Sequence, residues 1–139
     1  MEIVVIDGMG GGIGKVVVET IKSKFPEHVV TAVGTNSTAT SVMLKAGADY
    51  AATGENAVRH NCKNADLIIG AIGIMVANAM HGEISVKIAK AVSKSKAYKI
   101  LIPISKCNVT VLGGESKTIS GYLENLEEEI KNINKKSEM

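Results

Sequence analysis

Apolar runs of strand length alternate along this chain with segments whose apolar residues recur every three or four positions, the pattern of a mostly parallel sheet covered by helices. The first run, residues 2–6, is followed by glycines and then by Ile13, Val17, Ile21 and Phe25 at steps of four, with Lys15, Glu19 and Lys22 on the opposite face. A helix with one buried side is predicted there, ended by Pro26. A strand over 29–33 leads to a second helix, capped by Asn36 or Ser37, with a stripe of Ala39, Val42, Met43 and Ala46 and a stop at Gly47. A short strand over 48–52 precedes Thr53, a candidate N-cap, and Glu55, which suits the first turn of a brief helix reaching Cys62. Residues 67–72 are continuously apolar, which predicts a central strand buried on both faces. After an apolar loop over 73–82, Ile84, Ile88, Ala91 and Val92 repeat at helical spacing opposite Lys87, Lys90 and Lys94. A fifth strand over 99–102 stops at Pro103, and 109–112 reads as a sixth, edge strand. Ile119, Tyr122, Leu123, Leu126, Ile130 and Ile133 define a closing amphipathic helix. The expected architecture is one three-layer α/β domain over residues 1–134, with a sheet of five to six strands, helices on both faces and a disordered polar tail over 135–139.

Composition narrows the partners. Of 139 residues, 45% are apolar and 22% charged, the mix of a packed globular domain. A net charge of +2, with three Tyr, one Phe and no Trp, offers neither a strong basic footprint nor a stacking platform for nucleic acid. Cys62 and Cys107 form no metal-ligand array and read as reduced thiols of a cytoplasmic protein. The longest apolar stretch, 67–80, is interrupted by Asn78 and is shorter than the roughly 18 residues of a membrane span, so no membrane association is expected.

The candidate chemistry lies where the first strand ends, in Asp7-Gly8-Met9-Gly10-Gly11-Gly12-Ile13-Gly14-Lys15. Five glycines let backbone N–H groups converge on an anion, and the helix that follows adds the positive end of its dipole. In an open α/β sheet ligands sit beyond the carboxyl ends of the strands, which also brings Thr35, Asn36, Ser37, Thr53, Gly73 and Asn78 to the expected binding region. A strict G-x-G-x-x-G fails at Ile13. The loop resembles the G-x-x-x-G-x-G of short-chain dehydrogenases through Gly8, Gly12 and Gly14, but Asp7 replaces that family's Thr and no Tyr-x-x-x-Lys pair follows. It also looks like the Gly-Gly-x-Gly-Lys of deviant P-loop ATPases, with Val16 in place of the Mg²⁺-binding hydroxyl.

A resemblance across nearly the whole chain rests on Ile6-Asp7-Gly8 with the glycines through Lys15, on Gly34-Thr35-Asn36, on residues 43–48 and 52–57, and on Gly73-Ile74 with Asn78 and Gly82-Glu83-Ile84. These blocks resemble an uncharacterised family of short bacterial proteins known only as a domain of unknown function. The resemblance implies a Rossmann-like fold and supports a site at these loops without naming a reaction. Ala71 departs from the family, which commonly has Pro there.

Lys15, in a first helical turn where a cation opposes the dipole, is read either as a phosphate partner or as a solvated lysine. Asp7 either accepts hydrogen bonds from loop amides or meets a ribose, a metal or a reacting group. No acidic residue closes the second strand to hold a ribose, which leaves NADP or a mononucleotide as the cofactor candidates. His81, Glu83 and Glu55 are the candidate acids and bases. The apolar stretch Gly73 to Met80 walls a ligand or forms a homo-oligomer interface. Three functions are therefore expected to compete: a cytoplasmic sensor or accessory subunit binding a nucleotide, dinucleotide or phosphorylated metabolite, a small NADP-dependent oxidoreductase, and a ligand-free homo-oligomeric interaction module.

Overall fold

A computed structural model describes residues 1–104, 108–114 and 116–138 of the chain. Five strands, β1 (Glu2–Asp7), β2 (Val29–Gly34), β3 (Tyr50–Thr53), β4 (Leu67–Ala71) and β5 (Tyr98–Ile102), form one parallel sheet in the order β3-β2-β1-β4-β5. The connections are α1 (Gly12–Lys24), α2 (Ser37–Lys45), α3 (Glu55–Cys62) and α4 (Val86–Lys94), with α5 (Ile119–Glu138) closing the domain. This is a Rossmann-like three-layer fold, and the order of the strands reverses between β1 and β4.

The two-residue period of β1 builds both cores. Ile3 and Val5 point to a layer formed by Val17, Val18 and Ile21 of α1, Met43 of α2, and Leu126 and Ile130 of α5. Val4 and Ile6 point to the other, with Val58 of α3, Ile88 and Val92 of α4, and Ile74 and Ile84 from the loop between β4 and α4. Every residue of β4 is buried, as its unbroken apolar run predicts. Lys22 at the end of α1 pairs with Asp49 at 2.9 Å, and the same carboxylate accepts the Val30 N–H at 2.8 Å, so one surface charge holds α1 to the β2 and β3 edge. The Val30 N–H and then the ammonium hold Asp49 below the ordinary carboxylate range.

Four expectations shift. Residues 109–112 form no strand: Val111 and Leu112 are exposed and pair with nothing in the sheet, because apolar residues become a strand only beside a partner strand. Thr53 does not cap α3. Gly54 stands at that N-cap with φ 104° and no side-chain bond, while the Thr53 hydroxyl lies 2.7 Å from that of Thr40. The helix α5 continues through 135–138, where the pattern suggested a polar tail; Lys and Glu are good helix formers, and the Ser137 hydroxyl donates to the Ile133 carbonyl at 3.1 Å. The stretch after β4 starts with one turn of 3₁₀ helix, Ile72–Met75, and buries Ile74 and Ala79 in the chain's own core. Cys62 is a buried free thiol, and Cys107 lies outside the described residues.

Candidate functional site

At the reversal of strand order, beyond the carboxyl ends of β1 and β4, lies a cleft of about 650 Å³. One wall is the loop from Asp7 to Ile13; the other is the stretch 76–81, and Asn108 completes the lining. Of the expected site residues, Asp7, Gly8, Gly10, Gly11, Gly12, Ile13, Asn78 and His81 are brought together here.

The loop is built on two carboxylates. Asp7, 5% exposed, accepts the Gly8 N–H at 2.8 Å on one oxygen and the Gly14 N–H at 2.7 Å on the other, so it satisfies an amide of the first turn of α1 as a helix cap would. Burial pushes its pKa up, the Gly14 and Gly8 N–H groups oppose this, and the charge of Glu83 adds to the rise. Glu83 comes from the turn before α4. One of its oxygens accepts the Met9 N–H at 3.1 Å, the Thr35 hydroxyl at 2.6 Å and the Asn36 amide at 2.7 Å. These bonds, the Thr35 hydroxyl first, hold the Glu83 carboxyl below its ordinary range. Asn36 also caps α2 through the Ala39 N–H at 2.9 Å and donates to the Met9 carbonyl at 2.9 Å. Glu83 and Asn36 thus clamp the loops that follow β1, β2 and β4 behind the cleft.

The glycines divide by what surrounds them. A Cβ on Gly8 would meet the Thr35 hydroxyl at 2.6 Å and intrude on the clamp, one on Gly14 would enter the Met43 side chain, and Gly11 combines φ +75° with α2 backbone 2.8 Å from such a Cβ. Gly10 and Gly12 differ. Neither has a positive φ, neither would bring a Cβ within 4 Å of anything, and neither N–H has a partner among the described residues. Both line the cleft.

The strained backbone gathers at the same place. Met9, Asn78, Met80, His81 and Asn108 are the five non-glycine residues with positive φ among the described residues, and all five line the cleft.

Other expected site residues lie elsewhere. Lys15 is exposed on α1 outside the cleft: burying Gly14, Val17, Val18 and Ile21 sets the helix phase, and Lys15 falls on the outer side. Thr35 and Asn36 serve the clamp, Ser37 is exposed at the start of α2, and Gly73 is buried within the 3₁₀ turn. Glu55 accepts the Ser85 hydroxyl at 2.7 Å, while the same hydroxyl caps α4 through the Ile88 N–H. Val76, Ala79 and Met80 line the cleft, as do Met9 of the glycine loop and Ala77 of the apolar stretch, and Asn108 joins them without a signal in residue type or spacing. Among the described residues, no cluster of three His, Cys, Asp or Glu side chains could hold a metal ion, and no helix is long and apolar enough to cross a membrane.

No curated protein matches the sequence. A family model matches residues 2–135, and the chain therefore belongs to the family described as Domain of unknown function (DUF3842).

Proposed function

We propose that the cleft binds a nucleotide, a dinucleotide or another phosphorylated metabolite, and that the protein acts in the cytoplasm as a small sensor or accessory subunit. The observation that carries this reading is the pair Gly10 and Gly12. Nothing in the fold requires a missing side chain at either position, yet both present open backbone N–H groups on the cleft wall. Space for a close approach of ligand to backbone is the remaining physical reason for glycine there. The size of the cleft fits, since small-molecule sites run to about 300–1,000 Å³. Strained residues on both walls fit as well, because such backbone is held in place at sites that gain from a fixed geometry.

The test is a thermal-shift and calorimetric screen with NADP, NAD, ATP, GTP and flavins, since a ligand bound only by the native state raises the melting temperature. At least one is expected to bind, with loss of binding in Gly12→Val and no change in Lys15→Ala. No shift with any of them at millimolar concentration overturns the proposal. His81, exposed on the wall facing the glycine loop, favours a second reading as an NADP-dependent oxidoreductase that uses it as proton shuttle. On that reading NADPH binds and His81→Asn spares binding while abolishing turnover.

A further inference from the structure

We propose a second ligand site in the groove between α3 and α4, which takes a small polyanion carrying two or more phosphate or carboxylate groups. The groove encloses about 510 Å³ and is ringed by Arg59, Lys63, Lys87, Lys90, Lys94 and Lys96, with no acidic residue in its lining. Its residues are separate from those of the cleft at the glycine loop.

The concentration of charge is specific to this surface. The formal charge of the whole chain is +2, so with six cations in the groove the remainder, 10 basic against 14 acidic residues, carries −4. Among the described residues no carboxylate forms a salt bridge with any of the six. Arg59 and Lys63 stand four residues apart on α3 and its C-cap, and Lys87, Lys90 and Lys94 follow at three and four on α4. Each is a like-charge pair at the spacing where helix neighbours meet and repel. The negative helix ends account for Lys63 and Lys94, which lie at C-termini. They do not account for Lys90 in mid-helix or for Lys87, which lies in the first turn of α4 and opposes its dipole.

The dimensions select the ligand. Lys87 to Lys94 spans about 10 Å along the helix at 1.5 Å per residue, longer than one phosphate and matched to a chain of them. Between the cations the lining is neutral: Ala91 and Ser95 carry no charge, and burial pushes the Cys62 thiol up to about 11. Such a pocket, rather than a long basic track with stacking aromatics, fits a small molecule better than a nucleic acid.

The experiment is calorimetric titration of the full chain with sodium tripolyphosphate and, separately, with inorganic phosphate. Tripolyphosphate is expected to bind, with inorganic phosphate weaker by roughly tenfold or more because it engages fewer of the charges. Both titrations are repeated on the Gly12→Val variant, in which the cleft contributes nothing; there Lys90→Glu/Lys94→Glu is expected to abolish binding, while Lys135→Glu/Lys136→Glu on exposed α5 positions leaves it intact. Circular dichroism checks that each variant is folded, and Lys90→Ala, expected to weaken binding severalfold, replaces the double variant if that one is not. Equal loss in both charge-reversed variants, no tripolyphosphate binding once Gly12→Val has removed the cleft, or capture of transfer RNA or polyglutamate without tripolyphosphate binding would each overturn the inference.

Discussion

Replacing Glu83 by Ala removes the acceptor that joins three loops, and its cost follows from the geometry. Three hydrogen bonds end on a single carboxylate oxygen, from Met9, Thr35 and Asn36. A hydrogen bond to a charged group contributes about 1.5–3 kcal/mol when well shielded, but here one oxygen is shared and Glu83 is partly exposed, so water replaces part of the loss and a total of about 1.5–3 kcal/mol is expected. With an unfolding entropy of about 2.1 cal/mol/K per residue, that total lowers the melting temperature of a 139-residue domain by roughly 5–10 °C. Glu83→Gln keeps an acceptor oxygen without the charge and is expected to lose about half as much. The pH dependence has a fixed sign. The folded Glu83 carboxyl titrates below its ordinary value of 4.5, so its contribution is complete above that value and disappears as the pH falls through the folded pKa. Melting followed by circular dichroism from pH 7 to 3 should therefore show a constant gap between the native chain and Glu83→Ala at neutral pH and a narrowing gap in acid. A variant that melts with the native chain at neutral pH, or a gap that widens on acidification, refutes the clamp.

Gly12→Ala should stabilise the chain by about 0.4–1 kcal/mol in urea denaturation, since the new Cβ enters open space and the unfolded chain loses freedom, while the ligand shift shrinks. Gly70→Ala should cost about 1–3 kcal/mol in the same assay, because its Cβ would lie 2.8 Å from the Ile6 carbonyl, which the packed sheet cannot move aside. Asn36→Ala should cost about 1–2 kcal/mol for the lost cap of α2, and Asn36→Asp should restore the cap yet place a second carboxylate against Glu83, recovering only part of the stability.

The alternation of strands and helices was legible because each signal was local. Ile13, Val17 and Ile21 mark a helix by spacing alone, Pro26 stops it, and the unbroken run of β4 declares burial on both faces. Asp7 as an acceptor of loop amides was legible for the same reason, since its donors lie within seven residues. Glu83 was not. Its partner Met9 is 74 residues away, and only the adjacency of β2, β1 and β4 brings their loops together, so a residue read as a candidate acid or base is a tie between loops. Lys15 shows the opposite error of emphasis: a lysine after glycines suggests a phosphate partner, but helix phase is decided by which residues are buried, and Gly14 takes the inward position. Asn108 joins the cleft from beyond β5, and no pattern around the glycine loop points to it.

The two acids beneath the glycine loop titrate in opposite directions, and this sets how a ligand there must behave. Glu83 is charged early because three donors point at it; Asp7, buried and facing that charge, holds its proton to higher pH than an ordinary Asp. Above the ordinary Asp value the raised pKa of Asp7 offsets part of what its two amide bonds contribute, and this loss is complete only above its folded pKa. An anion at the Gly10 and Gly12 N–H groups adds one more negative charge near Asp7 and raises that pKa further. Binding and protonation are then linked: the ligand draws in a proton, and affinity rises as the pH falls through the range in which Asp7 titrates. NAD suits the measurement because its pyrophosphate exchanges no proton there, whereas the 2′-phosphate of NADP titrates in that range. Calorimetry in two buffers of different ionisation enthalpy, between pH 7 and 4, should show net proton uptake on binding, and Asp7→Asn should abolish it. Proton release, or uptake unchanged in Asp7→Asn, would place the bound anion away from the two open amides.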